Sequence, residues 1–562
     1  FFSRETFMGR RGVSVCGLLI VTQSASAFLA AAPRLSPPVS RLALRWGASV
    51  PTSRPEAGLF LSRGGLCVSC GEHRLRRAPL SVFAQLGGMR GGMMAGLFGG
   101  ALAGLAGGAS NNDDPAAPFT DTAGSWEEIA AKLEGMQTPE ERAFRQELAS
   151  GRGPTCSMAA LRLFDAPEGT EPKVTLYRDK AAWCPYCEKV WIQLEEKRIP
   201  YKVEKINMSC YGSKPDWFMK MQPSGGIPVA RVNGRVITES NDIMQALEDE
   251  FPDHPKMFPP KGDPQAPRVQ PLLRLEREIF SSWFRWMGSG SRFGDSQMQN
   301  FETIMTRVDS ELAQAKDMQK ASGGEGLGFF LGDKVSIVDC MFAPFLERIA
   351  ASVPYYKGLV VRGNPKWPHV TQWFTAMEAR ESFRGIQSDY YTHAHDLPPQ
   401  IGGCRPHAEA EVYRAEIDGE GSAWRLPLEK GVEPVHGAPK DDGAARREAA
   451  ERVINYSKGL VPFMLRAVGT PGRPVGAGPL SDPNATPDLR FEKQVDAALR
   501  HTAEALLGNG DNVCPKLSPG LPAHTVKLSL AYLRDRISVP RDMSFAAARQ
   551  LRAHLNLVID GL

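Results

Sequence analysis

The residues of this chain best suited to chemistry are two cysteines, held three positions apart in Cys184-Pro185-Tyr186-Cys187. They stand where an extended run, Val174 to Arg178, gives way to a helical pattern. A cysteine in the first turn of a helix faces unpaired N–H groups and the positive end of the helix dipole, which favour thiolate over thiol. Cys184 is therefore predicted to be a nucleophile, with the N–H groups of Tyr186 and Cys187 as its hydrogen-bond donors.

A pair of cysteines at this spacing is also typical of zinc sites. Structural zinc takes four ligands, so a second pair would be needed. The part of the chain that is predicted to fold contains no other Cys-x-x-Cys and no cluster of histidines. No metal site is predicted, and an iron–sulfur cluster shared between two chains stays open as an alternative.

The elements predicted around the two cysteines follow the order β-α-β-α-β-β-α, which is the order of the thioredoxin fold. Asn233-Gly234 indicates a tight hairpin between the last two strands. Pro228 begins a strand that faces the active-site loop, where proteins of this fold hold a cis proline. The predicted elements are strand Val174 to Tyr177, helix Pro185 to Lys197, strand Tyr201 to Ile206, a short helix from Asp216, strands Ile227 to Val232 and Arg235 to Thr238, and helix Asn241 to Glu250.

An all-α domain and a mainly helical extension are predicted to follow this α/β domain. Pro259-Pro260-Lys261-Gly262 marks a linker, after which periodic apolar residues continue to about Tyr391. Ser336 and Asp339 are predicted to cap a buried helix. The predicted regions are 1–90, 91–112, an N-terminal extension 113–170, a thioredoxin-like domain 171–256, a helical domain 262–395, and an extension 400–562 with helices at Ala444 to Val468, Phe491 to Leu507, Val526 to Arg536 and Phe545 to Ile559.

From Val174 to Asp389 the chain resembles the cysteine-type glutathione S-transferases, the group that holds the omega, lambda and dehydroascorbate reductase classes, with a glutaredoxin-style Cys-Pro-Tyr-Cys. The helical extension resembles one carried by certain cyanobacterial and plastid members. The resemblance implies that glutathione is the co-substrate. It also implies that Cys184 is the nucleophile and that Tyr186 lies beside bound glutathione.

Five further residues are implied by the resemblance to bind glutathione. Lys214 resembles the lysine that reaches the glycyl carboxylate, and Ile227 before Pro228 resembles the residue whose backbone pairs with the cysteinyl part. Glu239 and Ser240 resemble the pair that grips the γ-glutamyl end. The charges suit the ligand, because glutathione carries two carboxylates and one ammonium. Ser240 could also cap the helix that begins at Asn241.

The resemblance implies a thiol transferase or reductase that works through a mixed disulfide on Cys184, acting on a small oxidised or glutathionylated acceptor. Deglutathionylation and dehydroascorbate-type reduction both fit this chemistry. In the monothiol route, which this group favours, a second glutathione releases the first; in a dithiol route, Cys187 attacks the mixed disulfide. The alternative is a non-catalytic module that binds glutathione or an iron–sulfur cluster and regulates a partner. A homodimer is a further expectation.

An apolar stripe on the first helix of the second domain is expected to pack against the thioredoxin-like domain. Its members are Leu272, Leu275, Ile279, Trp283 and Trp286. The two tryptophans, together with Tyr355 and Tyr356, are the candidates to line a flat hydrophobic acceptor site.

The first 90 residues predict delivery to a plastid. From Met8, two arginines, an apolar run and Ala25-Ser26-Ala27 resemble a signal peptide, and the Arg, Ser and Ala-rich stretch from Phe28 resembles a transit peptide. Together they resemble the bipartite presequence of algae with secondary plastids, and the secretory pathway is the alternative. A reactive Cys184 favours a reducing compartment.

Charge gives no support for nucleic-acid binding. The chain carries a formal net charge of +4, but residues 1–90 hold 12 arginines and 3 glutamates, so the remainder has a net charge of −5. Five arginines near the C-terminus are expected to form a solvated basic face, namely Arg534, Arg536, Arg541, Arg549 and Arg552.

Glycines recur every four residues from Gly92 to Gly108, within an uncharged stretch rich in glycine, alanine and methionine. On a helix they would share one face, as in small-residue interfaces of membrane helices. The segment 91–112 is short for a membrane span. A linker or part of the targeting region is the favoured interpretation, and membrane association is the alternative.

Overall fold

The computed structural model describes residues 113–562 except 209–211, 291–293, 435–441, 473–481, 509 and 511. The predicted targeting region and the glycine-rich segment 91–112 lie outside the described residues. Among those that are described, no helix combines the length and apolar character needed to cross a membrane.

The thioredoxin-like domain has the predicted order of elements. Its sheet runs β1-β3-β2-β4-β5, with β2 and β3 parallel and the other pairs antiparallel. The Ile227-Pro228 peptide bond is cis, as expected for this fold. The elements are β1 (Leu161–Arg162), β2 (Val174–Asp179), α3 (Pro185–Lys197), β3 (Tyr201–Ile206), α4 (Asp216–Met221), β4 (Val229–Val232), β5 (Arg235–Ile237) and α5 (Ser240–Glu250).

Local sequence explains how α3 is placed. Proline is suited to the first position of a helix because it donates no N–H and its φ is already helical, and Pro185 occupies that position. The helix ends at Arg198, which adopts a left-handed conformation. In between, Val190, Ile192 and Leu194 are fully buried in the apolar core. The strand that leads into the motif and the helix that follows it are therefore both fixed by the core.

The helical domain follows, and its core helix α8 is nearly all buried. The predicted capping box is confirmed, since the Ser336 side chain accepts from the backbone of Asp339 and Asp339 accepts from the Ser336 N–H at 2.9 Å. The helices are α6 (Val269–Gly288), α7 (Gly294–Ala321), α8 (Ile337–Lys357), α9 (Pro368–Ala379), α10 (Glu381–Arg384) and α11 (Tyr390–Ile401).

The N-terminal and C-terminal extensions share one apolar core. Ile129 and Leu133 of the first helix are buried among the helices of the C-terminal extension. The predicted helices of that extension are present, and the domain boundaries stay predictions. The helices are α1 (Trp126–Met136), α2 (Pro139–Ser150), α12 (Glu411–Ile417), α13 (Asp442–Met464), α14 (Glu492–Leu506), α15 (Ala523–Arg534) and α16 (Phe545–Gly561).

The predicted solvated basic face near the C-terminus is wrong. Arg552 is buried and pairs with Asp389, which lies 163 residues earlier in the chain, and Arg534 and Arg541 pair with the acids that follow them. The guanidinium of Arg536 lies 3.5 Å from the centre of the Tyr532 ring. Partners distant in sequence, or adjacent in an unpredicted turn, neutralise these charges.

Candidate active site

Cys184 caps α3 and is nearly buried, with 7% of its surface exposed. Its Sγ lies 3.8 Å from the carbonyl oxygen of Ile227, so the cis-proline loop closes one side of the thiol. The N–H of Cys187 donates to the carbonyl of Cys184 at 3.1 Å and is not directed at the thiol. Of the two backbone N–H groups predicted to donate to a Cys184 thiolate, only that of Tyr186 therefore remains a candidate.

A buried carboxylate, which the sequence did not single out, lies beside the two thiols. Asp179, the last residue of β2, is fully buried. A carboxylate oxygen of Asp179 and the Sγ atoms of Cys184 and Cys187 all lie within 4.8 Å of one another. Asp179 Oδ2 accepts from the backbone N–H of Trp183 at 2.6 Å. Asp179 Oδ1 has no hydrogen-bond partner among the described residues. These three groups fall one short of the four ligands of a structural zinc site.

Cys187 is more deeply buried than Cys184, with 1% of its surface exposed. Burial raises the pKa of the Cys187 thiol well above its usual value, and a hydrogen bond to Cys184 raises it further. At neutral pH Cys187 is therefore a thiol unless a nearby group takes its proton.

The residues predicted to bind glutathione lie in the cis-proline loop, in the segment before α4 and at the start of α5. Lys214 is half-buried and its Nζ donates to the carbonyl of Gly225 at 2.6 Å, in the loop before Ile227. Pro228 is buried, and Glu239 is exposed at the start of α5. The predicted cap of α5 is wrong by one residue, because Glu239 holds the N-cap and Ser240 is the first helical residue. Ser240 remains at the positive end of that helix.

Lys189 is a charged group that the sequence analysis missed. It lies on α3, is buried, and donates to Asn241 Oδ1 at 2.6 Å, next to Glu239 and Ser240. Burial lowers the pKa of Lys189 to about 8, while the carboxylate of Glu276 and the thiolate form of Cys184 favour the ammonium. Below pH 8 Lys189 therefore places a positive charge close to both the thiol and the proposed γ-glutamyl end.

The helical domain fixes the residue before the nucleophile. Arg348 of α8 donates to the carbonyl oxygen of Trp183, and its guanidinium lies 4.7 Å from the centre of the Trp183 ring. The same guanidinium donates to Glu188 Oε2 at 2.7 Å. Because Arg348 is 1% exposed, these contacts join the two domains without intervening bulk water.

Two buried glutamates share this network. Burial raises the pKa of Glu188 to about 8, and the neighbouring Glu347 carboxylate adds to the shift. Burial also raises the pKa of Glu347 to about 7, opposed by Arg348. His393, 2.8 Å from Glu347, is held neutral because burial lowers its pKa to about 3. At neutral pH the pair therefore retains a proton, shared between Glu188 on α3 and Glu347 on α8.

Aromatic side chains flank the thiol on the helical-domain side, but not those that were predicted. Tyr186 is exposed and its ring meets Phe345 edge-on at 6.0 Å, and Phe345 meets Phe280 at 5.0 Å. Arg277 lies over the rings of Phe280 and Phe345 at 4.8 and 4.7 Å. These four side chains form the aromatic wall of the candidate site.

The four aromatic residues named from the sequence belong instead to the core. Trp286 is fully buried, and the Trp283 indole donates to Ser352 at 2.9 Å. The hydroxyl of Tyr355 donates to Asp418, and that of Tyr356 donates to the carbonyl of Ala394. Since all four side chains are buried, none of them lines an acceptor site.

A cavity of about 600 Å³ lies away from the thiols, between α2 and α13. Its floor is apolar and includes Phe144 and Leu148, and its rim carries the ion pairs Arg447–Glu141 and Arg145–Glu451. None of the residues implied to bind glutathione lines it, so we place the chemistry at Cys184.

Two family models match the chain. They are described as "Glutathione S-transferase, N-terminal domain", which matches residues 183–250, and "Glutathione S-transferase, C-terminal domain", which matches residues 274–376. The first match begins at the residue before Cys184 and the second ends in α9. The matched residues contain all the positions predicted to be catalytic or to bind glutathione.

Curated relatives match the same part of the molecule. Glutathione S-transferase DHAR3 of Arabidopsis thaliana, a chloroplastic protein, is 29% identical over 211 residues, which are 38% of this chain and 71% of the relative. Glutathione S-transferase omega-1 of Rattus norvegicus is 26% identical over 187 residues, which are 33% of this chain and 72% of the relative. These relatives give no support to a non-catalytic module.

Solved structures match with low overall scores. Dehydroascorbate reductase of Chlamydomonas reinhardtii is 20% identical with a TM-score of 0.32, and the match covers 39% of this chain and 94% of that one. Glutathione transferase Omega 3C of Trametes versicolor is 24% identical with a TM-score of 0.33, and the match covers 39% and 91%.

Proposed function

We propose that the protein is a glutathione-dependent thiol transferase or reductase, because residues 183–250 and 274–376 match the models of the N-terminal and C-terminal domains of glutathione S-transferases. The observation that carries the proposal is the position of Cys184, which caps a helix beside the cis-proline loop. Serine and tyrosine hydroxyls activate glutathione without forming a covalent bond to it, whereas a cysteine forms a mixed disulfide with it. Reduction is therefore favoured over conjugation.

In the proposed reaction the Cys184 thiolate attacks the sulfur of glutathione in a glutathionylated acceptor. The bond between that sulfur and the acceptor breaks, and the acceptor leaves as a thiolate that takes up a proton. A second glutathione thiolate then attacks the sulfur of the first, and oxidised glutathione leaves as Cys184 is regenerated. One free glutathione is thus oxidised as the acceptor sulfur is reduced to a thiol, and the two glutathiones leave joined as oxidised glutathione.

We assign the binding of glutathione to residues around the thiol. The Ile227 backbone, fixed by Pro228, would hold the cysteinyl part, and the cation of Lys214 would hold the glycyl carboxylate. Glu239 and Ser240 would hold the γ-glutamyl end. The fit rests on charge and on placement: the Lys214 cation donates to Gly225 in the loop before Ile227, and Glu239 is an exposed carboxylate at the N-terminus of α5.

Mass spectrometry of the intact protein tests this proposal. Wild type and the variants Cys184→Ser and Cys187→Ser are exposed to oxidised glutathione, and turnover of a glutathionylated model disulfide is measured beside it. We expect one glutathione adduct on wild type and none on Cys184→Ser, with turnover that survives Cys187→Ser when glutathione is abundant. A wild type with neither adduct nor turnover would exclude the enzyme, and visible absorption from the purified protein would favour a cluster-binding module.

For the acceptor we propose a small oxidised or glutathionylated molecule that lies on the aromatic wall formed by Tyr186, Arg277, Phe280 and Phe345. The exposed Tyr186 ring and the adjacent guanidinium of Arg277 favour a flat or anionic acceptor. Turnover of dehydroascorbate beside that of a glutathionylated peptide would separate the two acceptor classes.

We further propose that the protein works in a plastid. The arginine, serine and alanine-rich composition of residues 28–90 supports this, as does the similarity to a relative that is named as chloroplastic. The described cysteines are all free thiols, which suits a reducing compartment. A fluorescent protein fused behind residues 1–112 and expressed in an alga with secondary plastids would be expected in the plastid. The homodimer stays a prediction, to be tested by sedimentation equilibrium.

A further inference from the structure

The buried carboxylate of Asp179 has no role in the reaction described so far. A buried carboxylate oxygen without a hydrogen-bond partner is costly, and such groups in a folded protein call for an explanation. Asp179 Oδ1 is in this position. Its other oxygen is held by the Trp183 N–H at 2.6 Å, and its backbone carbonyl accepts from Arg178 at 2.9 Å. The carboxylate is thus fixed in place beside the two thiols, and one of its oxygens can still accept a proton.

Cys187 needs a group that accepts its proton. To attack a mixed disulfide on Cys184 it must lose its proton, yet only 1% of its surface is exposed and water has little access to it. A carboxylate oxygen of Asp179 lies within 4.8 Å of its Sγ and of the Sγ of Cys184. Burial, the hydrogen bond to Cys184 and the charge of Asp179 all raise the pKa of Cys187, so a proton acceptor is required at neutral pH.

The other groups that face this cluster are cations. They are Arg178 on the same strand, Lys205 on β3 and Lys189 on α3. A protonated cation cannot accept a proton, and Arg178 remains charged in proteins. Among the described residues, Asp179 is therefore the group beside Cys187 that can act as the base.

We propose that Asp179 accepts the thiol proton of Cys187, so that Cys187 displaces glutathione from Cys184 and closes a Cys184–Cys187 disulfide. The inference rests on the proposed function, because it starts from the glutathione adduct on Cys184.

The step balances as follows. The S–H bond of Cys187 breaks and its proton goes to Asp179, the bond between the two cysteine sulfurs forms, and the bond from Cys184 to glutathione breaks. Glutathione leaves as a thiolate. Two further glutathione molecules reduce the cysteine disulfide and leave as oxidised glutathione. The route releases the adduct when free glutathione is scarce, whereas direct attack by glutathione releases it when glutathione is abundant.

A single-turnover experiment tests the inference. The full chain is loaded with oxidised glutathione, freed of excess reagent, and followed by intact mass at pH 7 as the adduct is replaced by an internal disulfide. The variants are Asp179→Asn, which keeps an oxygen for the Trp183 N–H, and Cys187→Ser, which is expected to retain its adduct. The control is Glu204→Gln, which removes an exposed carboxylate from the neighbouring strand β3.

We expect Asp179→Asn to form the adduct no more slowly than wild type, because the change removes a negative charge beside Cys184, but to close the disulfide on the order of 100-fold more slowly. The deficit should shrink as the pH rises, because hydroxide then replaces the carboxylate as base. Glu204→Gln should match wild type. Closure by Asp179→Asn at the wild-type rate would overturn the inference and leave the proposed function intact. A wild type that forms neither the adduct nor the internal Cys184–Cys187 disulfide would overturn both.

Should Asp179→Asn fail to fold, the pH profile of closure in wild type decides. A carboxylate base gives a rate that levels off near neutral pH, whereas removal of the proton by solvent gives a rate that rises about tenfold per pH unit up to the alkaline range. The second profile would overturn the inference.

Discussion

The guanidinium of Arg552 donates to the carboxylate of Asp389 at 2.6 Å, and neither side chain has more than 1% of its surface exposed. Asp389 also caps α11 by accepting from the Thr392 N–H at 2.9 Å, and Arg552 donates to the carbonyl of Ile537 at 2.8 Å. The last helix of the chain is therefore bonded to the helical domain through charges that water does not reach. The C-terminal extension is a structural part of the enzyme.

Arg552→Ala is expected to lower the free energy of unfolding by about 3–5 kcal/mol, because it leaves the Asp389 carboxylate buried without its partner. The matched control is Arg425→Ala, which breaks an ion pair with Asp560 where both side chains are about half exposed. That change should stay within about 0.5 kcal/mol. Urea unfolding followed by circular dichroism measures both, and equal losses would show that the extension is not held by this pair.

The two buried glutamates should make stability fall as the pH rises from about 6.5 to about 8. Below pH 6.5 the buried neutral His393 acts in the opposite sense, because its folded pKa of about 3 lies below the ordinary value of 6.5. Glu188 and Glu347 have folded pKa values of about 8 and about 7, above the ordinary value of 4.5. The folded state thus binds more protons than the unfolded state between these limits, so the stabilisation present below pH 4.5 is lost as the pH passes through 7 and 8.

Glu188→Gln should flatten this dependence, since the amide keeps a hydrogen-bond donor for Glu347 at every pH. Urea midpoints measured at each pH unit from 5 to 9 provide the comparison, with Glu204→Gln as an exposed control. A slope in Glu188→Gln that equals that of wild type would show that the pair does not hold the extra proton.

The KM for the acceptor should depend on Phe280 and not on Trp283. Phe280→Leu alters the aromatic wall beside Tyr186 and is expected to raise the KM for the acceptor severalfold with little change in that for glutathione. Trp283→Phe removes a buried indole that donates to Ser352, so it should lower stability by about 1–3 kcal/mol and leave the acceptor KM unchanged. Steady-state kinetics on both variants, after a thermal unfolding check, separates the roles; the reverse pattern would restore the tryptophan as acceptor contact.

The thioredoxin-like domain could be predicted from sequence because its signals are local. Alternating strands, Pro185 at the start of a helix and Asn233-Gly234 each act within a few residues, and the predicted helix Pro185 to Lys197 matches the structure. The nucleophile could be predicted for the same reason, because the strand and helix patterns on either side of Cys184 are visible in the local sequence.

Other features depend on partners that are distant in sequence. Asp179 looks like any acid at a strand end until the fold buries it against the thiols, and Lys189 looks like an exposed helical lysine until Asn241 approaches it. Trp283 fits both a core and a binding site by periodicity alone. Only the three-dimensional packing decides whether its indole is used internally.

The rate at which Cys184 reacts should depend on Lys189. Its ammonium is buried and interacts with Cys184, and in a partly buried site such a charge stabilises a thiolate by an amount that can reach 1 kcal/mol or more. Lys189→Met, which keeps the length of the side chain, is therefore expected to slow alkylation of Cys184 by iodoacetamide roughly fivefold at pH 7. Because the pKa of Lys189 is about 8, wild type should lose this advantage above pH 8 and the two rates should converge. Lys202→Met, on an exposed face of β3, serves as control and should react like wild type. If the ratio of the wild-type alkylation rate to that of Lys189→Met stays constant from pH 6 to pH 9.5, the reactivity of Cys184 depends on the packing of Lys189 and not on its charge.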